Sequence, residues 1–239
     1  EEKVLELSAA ARAKEDFTAN FAHELKTPLT SVIGYADMLY QRELPREQIK
    51  EAAGYILDEG MRLESLSLKL MDLFVMDKQD FSLEKFRTGG LFENIMPGIE
   101  PVCVRHGAGL HVDMEEEEIA VEFDLFKTMV LNIIDNSVKA ECSDIWVRGK
   151  KGQECYEISF QDNGKGIPPE EIDRITEAFY MVDKSRSRKQ HGAGLGMALV
   201  ARIAQIHRAR LKVESDGRSG TTVRITFYLP EGGRDEQNV

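Results

Sequence analysis

The apolar residues in the first third of the chain repeat every three or four positions, which is the period of an amphipathic α-helix. Pro45 and its polar neighbours interrupt the repeat, and the same period resumes behind them. The pattern therefore predicts two helices joined by a short loop, an antiparallel helical hairpin. Its apolar positions are Phe17, Phe21, Leu25, Val32, Tyr35 and Leu39 in the first helix and Ile49, Ile56, Leu63, Leu66, Leu70 and Leu73 in the second.

The two apolar stripes predict a partner for this hairpin. Two isolated helices cannot shield both stripes from water, whereas two hairpins can enclose them in a four-helix bundle. We therefore expect a homodimer in which each copy contributes one hairpin.

Beyond Phe81 the pattern changes to short β-prone runs that alternate with helical segments. This alternation predicts an α/β sandwich with helices on one face of a sheet. We place the domain boundary near residue 80, with a helical domain at 1–80 and an α/β domain at 81–239. The predicted strands are 118–123, 144–148, 156–161, 210–214 and 221–229, and the clearest predicted helices are 123–140 and 194–207.

Composition and charge exclude several classes of protein. Lys and Arg number 31 and Asp and Glu number 42, so the net charge is −11, which opposes non-specific binding to nucleic acid or anionic lipid. Three cysteines without paired C-x-x-C spacing argue against a zinc site or a redox couple and favour a reducing, cytoplasmic location. The longest run without a charged residue, 190–201, is too short to cross a membrane. The chain begins without Met, and we interpret it as a fragment of a longer protein.

The first candidate site lies in the first predicted helix, where His23 faces away from the apolar stripe. Thr27 lies one turn further along the same surface, and Glu24 lies beside both. We expect three groups outside the hairpin, the exposed imidazole included, that can exchange protons or orient water. An ordinary surface histidine is the alternative. Pro28 favours the functional interpretation over an ordinary surface histidine. A proline inside a helix costs about 3 kcal/mol and requires some functional or structural compensation.

The second candidate site is a polar row on the helix predicted at 123–140. Asn132, Asn136 and Lys139 share one helix face, which places two amides and an ammonium side by side. An amide oxygen is a hard ligand that suits Mg²⁺, and the ion commonly takes phosphate oxygens and waters as its other ligands. A plain polar helix face is the alternative.

The third candidate site follows the strand predicted at 156–161. Gly164 and Gly166 allow the backbone to approach a flat ligand closely, and Asp162 can accept a hydrogen bond from an exocyclic amine. A plain Asn-Gly turn is the alternative.

The fourth candidate site is a glycine-rich segment, with Gly192, Gly194 and Gly196 at the start of a predicted helix. Free backbone amides at such a helix start attract phosphate. A Rossmann unit needs its glycines directly after a strand, and a Walker loop needs Gly-Lys-Ser/Thr, so neither motif is present. Four cations stand just upstream in an otherwise acidic chain: Lys184, Arg186, Arg188 and Lys189.

These four blocks, in this order and spacing, resemble the cytoplasmic core of the sensor histidine kinases of two-component systems. The resemblance implies a dimerisation and phosphoacceptor hairpin followed by an ATP-binding domain of the Bergerat type. The four blocks match the H box at 17–39, the N box at 132–139, the first glycine box at 162–166 and the second glycine box at 192–196. Two further segments match the F box at 177–183 and the last glycine motif at 220–222.

The resemblance implies a role for each residue of the first site. His23 is then phosphorylated from ATP and passes the phosphoryl group to an aspartate of a response regulator. Glu24 orients the ring or takes its proton, and Thr27 places the water that dephosphorylates the response regulator.

The resemblance also implies how the second domain holds ATP and Mg²⁺. Asn136 holds the metal ion, Lys139 neutralises phosphate charge and Asp162 reads the adenine amine. The implied nucleotide-binding residues are Asn132, Asn136, Lys139, Asp162, Gly164, Gly166, Tyr180, Lys184, Arg186, Arg188, Gly192, Gly194, Leu195, Gly196 and Thr221. Membrane attachment through an upstream region absent from this chain is likewise an implication of the family.

Three positions bear on rival functions. Ala140 stands where the N box usually continues with an aromatic residue, and Met181 stands where the F box usually has an arginine. Both departures leave open a nucleotide-binding dimeric scaffold with weak or no kinase activity. Asn132 stands where ATP-hydrolysing clamps of the same superfamily place a glutamate, and an amide is no general base, which argues against hydrolysis.

Overall fold

The computed structural model describes residues 2–182 and 193–229; the side chains of residues 2–14 and 16 lie outside the described part. The chain divides into two compact units, one formed by Glu1–Phe74 with Glu177–Leu195 and the other by Val75–Thr176 with Gly196–Val239.

Two long helices dominate the first unit. Helix α1 spans Glu2–Gln41 and helix α2 begins at Arg46 and ends at Met76. Their apolar stripes face each other, and the rings of Tyr35 and Tyr55 stack with centroids 4.7 Å apart. The predicted hairpin is confirmed.

Pro28 lies buried inside α1 without ending the helix. A proline removes one backbone amide, so the carbonyl one turn earlier loses its helical partner. Nearby hydroxyls bond back to carbonyls of the preceding turn, as Thr30 Oγ1 does when it donates to the Lys26 carbonyl at 2.7 Å.

A second apolar cluster lies near the open end of the hairpin, within the same unit. Leu66 and Leu70 of α2 are buried together with Phe179 and Leu195. The Phe17 ring meets the Phe179 ring edge-on, with centroids 5.2 Å apart. Such aromatic contacts stabilise by roughly 0.5–1.5 kcal/mol beyond the area they bury.

The second unit contains a five-stranded sheet in the order β2-β4-β5-β7-β6, in which only the β2–β4 pair is parallel among the described strands. A separate antiparallel pair joins β1 and β3. The strands are β1 (Glu84–Arg87), β2 (Gly109–Met114), β3 (Glu118–Val121), β4 (Asp144–Lys151), β5 (Cys155–Asp162), β6 (Arg210–Ser215) and β7 (Thr221–Tyr228), and the helices are α3 (Thr88–His106), α4 (Phe123–Lys139) and α5 (Gly196–Ile206).

Helices pack on one face of this sheet. Val147, Phe160 and Val223 pair across three neighbouring strands and are all buried, because alternate residues of a strand point to the same face. Phe126 of α4 meets Phe227 of β7, with ring centroids 6.0 Å apart. The predicted fold class, a helical hairpin followed by an α/β domain with helices on one face, is confirmed.

Strands β1 and β2 and helix α3 were not predicted from the sequence. Helix α3 carries Pro97 and Pro101 in its interior, and prolines at such positions normally argue against a helix. Its buried residues, among them Leu91, Ile95 and Ile99, follow the helical period nonetheless. Burial against α4 therefore outweighs the local cost of the prolines.

His207 connects the end of α5 to the start of α4. Its ring is buried, Nδ1 donates to the Ile203 carbonyl at 2.7 Å, and Nε2 accepts from the Glu122 amide at 3.0 Å. These partners fix the neutral tautomer with the proton on Nδ1. Burial lowers the pKa of His207, although the hydrogen bond to the Ile203 carbonyl and the charge of Glu122 act in the opposite direction.

We expect this buried ring to make the second unit lose stability as the pH falls below about 6.5, the ordinary pKa of histidine. The unfolded chain binds the proton first, so the free energy of unfolding falls by up to about 1.4 kcal/mol per pH unit until the folded pKa is reached. Urea unfolding followed by Trp146 fluorescence between pH 7.5 and 5 measures the slope, because Trp146 lies in β4 of this unit.

His207→Gln should show a shallower slope than the unchanged protein, and His106→Gln, at an exposed histidine, should not. Glu214 and Asp216 titrate outside this window, since hydrogen bonds, from Lys212 and Ser219 first of all, lower the pKa of each to about 2. Parallel curves for His207→Gln and the unchanged protein would contradict the prediction.

Candidate functional site

His23 lies on the outer surface of α1, as the sequence predicts, and its side chain is exposed. Thr27 is also exposed, one turn further along. Its hydroxyl lies 3.4 Å from the His23 carbonyl, a contact long enough to be weak. The imidazole and this hydroxyl are therefore both accessible from solvent.

Glu24 differs from the expectation that it joins His23 and Thr27 outside the hairpin. Its Oε2 lies 3.3 Å from Nη2 of Arg62 on α2, and the side chain is only 16% exposed. Adjacent helix positions are separated by about 100°, so Glu24 lies at the edge of the face that meets α2. Within the described residues, no hydrogen bond joins Glu24 to the His23 ring.

Asn132 and Asn136 lie on α4 and face the start of α5. A Cβ built at Gly196 would lie 3.3 Å from the Asn132 Oδ1 and 3.4 Å from the Asn136 Oδ1, so a glycine keeps this space open. Asn132 is anchored, because its Nδ2 donates to the Thr128 carbonyl at 2.8 Å. The Asn136 Nδ2 is buried with no hydrogen-bond partner in the described part of the chain. A buried donor without a partner is costly, and a bound acceptor such as a phosphate oxygen would remove that cost.

Lys139 lies on the same helix, one turn beyond Asp135. Its Nζ is 2.7 Å from the Asp135 Oδ2. Both side chains are partly exposed, so the pair is weak by the standards of surface salt bridges. The ammonium can therefore exchange this partner for a more strongly charged one at small cost.

Asp162 ends β5 and is the most fully bonded carboxylate of the site. Its Oδ1 accepts from the amides of Gly164 at 2.9 Å and Thr221 at 3.1 Å, and its Oδ2 accepts from the Ser137 hydroxyl at 3.0 Å. The side chain is only 5% exposed. Three donors from three separate segments hold this carboxylate in one orientation.

Two glycines shape the backbone around Asp162. Gly220 has φ +104°, and a Cβ there would collide with the Asp162 carbonyl. A Cβ at Gly164 would lie 2.8 Å from both the Cβ and the carbonyl oxygen of Ala140. Any larger residue at these two positions would displace β5 or the end of α4, so both glycines keep the carboxylate in place.

Cys142 is buried near the Asp162 carboxylate, and its thiol is unreactive. Burial, and to a smaller extent the charge of Asp162, raises the pKa of the Cys142 thiol to about 11. The thiol therefore stays protonated near neutral pH and is a poor nucleophile.

Of the glycine-rich segment at 192–196, the structure describes residues from 193 onwards, and residues 193–195 belong to the first unit. Gly194 has φ +67°, and its carbonyl accepts from the Phe179 amide at 2.8 Å. Leu195 is buried and Tyr180 is partly exposed. The predicted residues Lys184, Arg186, Arg188 and Gly192 lie outside the described residues.

Two residues of the site were missed by the sequence analysis, Arg62 and Ser137. Arg62 shares the helical repeat of the buried residues Leu66 and Leu70, so a charged residue within an apolar stripe was the available signal. Ser137 carried no signal of its own, since its role depends on β5 lying beside α4.

Sequence comparisons match both regions of the chain. Residues 13–78 match the family model described as the His Kinase A (phospho-acceptor) domain. Residues 122–232 match the model described as the histidine kinase-, DNA gyrase B-, and HSP90-like ATPase. Together these matches cover more than half of the chain and include each described candidate site.

Two relatives align over nearly the whole chain. The sensor histidine kinase YclK of Bacillus subtilis is 28% identical over 229 residues, which is 94% of this chain and 48% of YclK. The sensor protein kinase WalK of Staphylococcus aureus is 31% identical in an alignment of 244 positions that covers 98% of this chain and 59% of that protein. The chain thus spans about half the length of these relatives.

Solved structures share the fold. The Acinetobacter baumannii histidine kinase AdeS superposes with a TM-score of 0.67 at 17% identity, over 87% of this chain and 98% of that chain. The histidine kinase ThkA, solved in complex with the response regulator protein TrrA, superposes with a TM-score of 0.71 at 15% identity, over 95% of this chain and 67% of that chain. Within residues 2–182 and 193–229, no helix is long and apolar enough to cross a membrane.

Proposed function

The chain belongs to the sensor histidine kinase family as its catalytic core, and on that premise we propose that it transfers the γ-phosphoryl group of ATP to His23. The phosphoryl group then passes to an aspartate of a response regulator. The observation that carries the proposal is an exposed imidazole at His23 on a chain that also holds a fixed carboxylate at Asp162. The same chain has a buried Nδ2 at Asn136 that lacks a hydrogen-bond partner among the described residues.

The first step is nucleophilic attack by the imidazole. A ring nitrogen of neutral His23 donates its lone pair to the γ-phosphorus, and the bond between that phosphorus and the β–γ bridging oxygen breaks. ADP leaves with the electron pair of the broken bond. The proton on the other ring nitrogen goes to the Glu24 carboxylate, so that the phosphohistidine formed has an uncharged imidazole ring and an anionic phosphoryl group.

The second unit supplies the nucleotide site. Asp162 accepts a hydrogen bond from the adenine amine, while Lys139 neutralises phosphate charge. Asn136 offers an amide oxygen to Mg²⁺. Mg²⁺ held by Asn136 would offset the charge of the phosphate groups. The described residues contain no cluster of three or more His, Cys, Asp or Glu that could hold a metal ion.

The family resemblance implies further nucleotide contacts. We assign them to Asn132, Gly164, Gly166, Tyr180, Lys184, Arg186, Arg188, Gly192, Gly194, Leu195, Gly196 and Thr221. Ala140 leaves no ring beside the adenine, so we expect weaker nucleotide binding than in family members that carry an aromatic residue there.

The hairpin is expected to form a homodimer. Large apolar side chains remain more than 40% exposed in the single chain, among them Ile33, Leu57, Met61 and Leu68. An apolar surface of this kind on a helical hairpin marks an interaction face, and a second hairpin covers it in a four-helix bundle. We further propose a cytoplasmic location, with membrane attachment through a region outside this chain.

The surface of α1 that carries His23 and Thr27 is also expected to serve dephosphorylation of the response regulator. In that step a water attacks the phosphorus, the bond to the aspartate oxygen breaks, and inorganic phosphate leaves. Thr27→Ala should leave autophosphorylation within about twofold and slow this dephosphorylation about tenfold or more, because only the water needs the hydroxyl. Two assays measure this: label entering His23, and loss of phosphate from a receiver domain that accepts it. Thr30→Ala, at an exposed threonine three residues further along α1, is the matched control. Equal loss of both rates would contradict the role of Thr27.

The activity itself is tested by incubating the whole chain with γ-labelled ATP and Mg²⁺. A phosphohistidine is stable in alkali and labile in acid, so label with that behaviour is the expected result. Nucleotide binding without label would favour the alternative function, a dimeric signalling scaffold. Acid-stable label would exclude the proposed chemistry.

A further inference from the structure

We propose that Arg62 is a positioning residue for phosphorylation of His23, because it holds the Glu24 carboxylate at the place where the imidazole must deliver its proton. This inference rests on the proposed function and extends it to a residue on the second helix. Arg62 itself touches neither ATP nor the reacting ring in this assignment; it acts through Glu24.

The geometry of Arg62 is that of a fixed anchor. The side chain is only 6% exposed, and its two terminal nitrogens contact two carboxylates. Nη2 lies 3.3 Å from the Glu24 Oε2, and Nη1 lies 3.7 Å from the Glu59 Oε2. Glu59 is on the same helix as Arg62, one turn earlier, whereas Glu24 is on the opposite helix. The pair therefore ties α1 to α2 beside His23.

Packing alone does not account for a guanidinium at this position. Arg62 occupies the helical repeat continued by Leu66 and Leu70, both buried. Taking charges out of water is expensive, and replacing a buried ion pair with apolar residues of similar volume is often neutral or stabilising. A buried ion pair such as Arg62–Glu24 is expected where function requires one of the two charged groups to keep a fixed orientation.

The proposed reaction depends on the orientation of the Glu24 carboxylate. Glu24 follows His23 directly, and the ion pair engages its Oε2. We assign Oε1 to the N–H of the imidazole. In the reaction a nitrogen–phosphorus bond forms, the bond from phosphorus to the leaving oxygen breaks, and the ring proton passes to Oε1. The exposed ring changes rotamer rapidly, so it can turn towards a carboxylate that stays in place.

A double-mutant cycle tests the assignment. The cycle compares the unchanged chain, Arg62→Met, Glu24→Gln and the double variant, and Arg46→Met is the matched control that removes an exposed cation from the same helix. With saturating ATP, Arg62→Met should slow autophosphorylation at least tenfold, leave the KM for ATP within about twofold, and have less than a twofold effect in the Glu24→Gln background. Arg62→Lys should recover part of the rate, and Arg46→Met should change nothing.

A merely structural role gives a different pattern. If Arg62→Met slows the reaction by the same factor with and without Glu24, the proposal is overturned. Dimer mass and thermal unfolding are measured for each variant. If Arg62→Met does not fold, Arg62→Lys takes its place in the cycle, and an equal effect of that variant in both backgrounds also overturns the proposal.

A second phosphoryl donor separates this inference from the proposed function. Phosphoramidate phosphorylates imidazoles without a nucleotide site, with ammonia as the leaving group, and the cycle is repeated with it. Coupling between Arg62 and Glu24 with phosphoramidate, but no label from ATP in the unchanged chain, overturns the kinase assignment and supports the role of Arg62. Label from ATP without coupling for either donor supports the kinase and overturns the role of Arg62.

Discussion

His23→Gln is expected to abolish incorporation of phosphoryl label from ATP, a loss of at least about a thousandfold. The amide of glutamine has no basic ring nitrogen, so the nucleophile is removed while the exposed surface of α1 stays polar. Nucleotide binding should be unchanged, because the assigned nucleotide contacts lie elsewhere in the chain. Label incorporation with γ-labelled ATP and calorimetric titration with Mg-ATP are the two measurements.

His106→Gln is the control for that loss. His106 is an exposed histidine in the last turn of α3, far from each candidate site in sequence. It should incorporate label at the same rate as the unchanged chain. Label that persists in His23→Gln would show that another residue accepts the phosphoryl group.

Asn136→Ala is expected to weaken binding of Mg-ATP at least a hundredfold, below the detection of ordinary calorimetry. The substitution removes an amide oxygen assigned to the metal ion and a buried Nδ2 that has no partner within the described chain. It also leaves a gap opposite Gly196. A titration with Mg²⁺ removed by a chelator separates the contribution of the metal ion from the other two. The chelator should weaken ATP binding to the unchanged chain, and it should have no further effect on Asn136→Ala.

Asn94→Ala serves as the matched control for Asn136. Asn94 is exposed on α3, and its Nδ2 donates to the Gly90 carbonyl of its own helix at 2.7 Å. Binding should stay within about twofold of the unchanged chain. An unchanged titration for Asn136→Ala itself would refute the role assigned to this amide.

The nucleotide site shows which features a local sequence pattern predicts and which it does not. The spacing of Asn132 and Asn136 predicts that two amides share a helix face, and a single helix suffices to define that. Their orientation towards Gly196 depends on α5 meeting α4, which no local pattern states. Which residues hold Asp162 is likewise a tertiary fact, because Ser137 is 25 positions away from it and Thr221 is 59.

The hairpin shows the same limit for Glu24. Helical geometry places His23 outside, and the structure agrees. The position of Glu24 around the helix axis allows its side chain to point either to solvent or towards α2. The Arg62 guanidinium on α2 attracts the carboxylate towards that helix. A residue 38 positions away thus decides where a candidate base lies.

The sequence by itself determined the two helices of the hairpin, most of the strands, the fold class and the family, because hydrophobic period and motif spacing are properties of neighbouring residues. The domain boundary near residue 80 and the roles of the site residues remain predictions. The tertiary structure alone decided that α3 tolerates Pro97 and Pro101, that Arg62 takes up Glu24, and that Asp162 is held from three segments. Each of these depends on groups that are distant in sequence, and their burial and pairing energies exist only once the chain has brought them together.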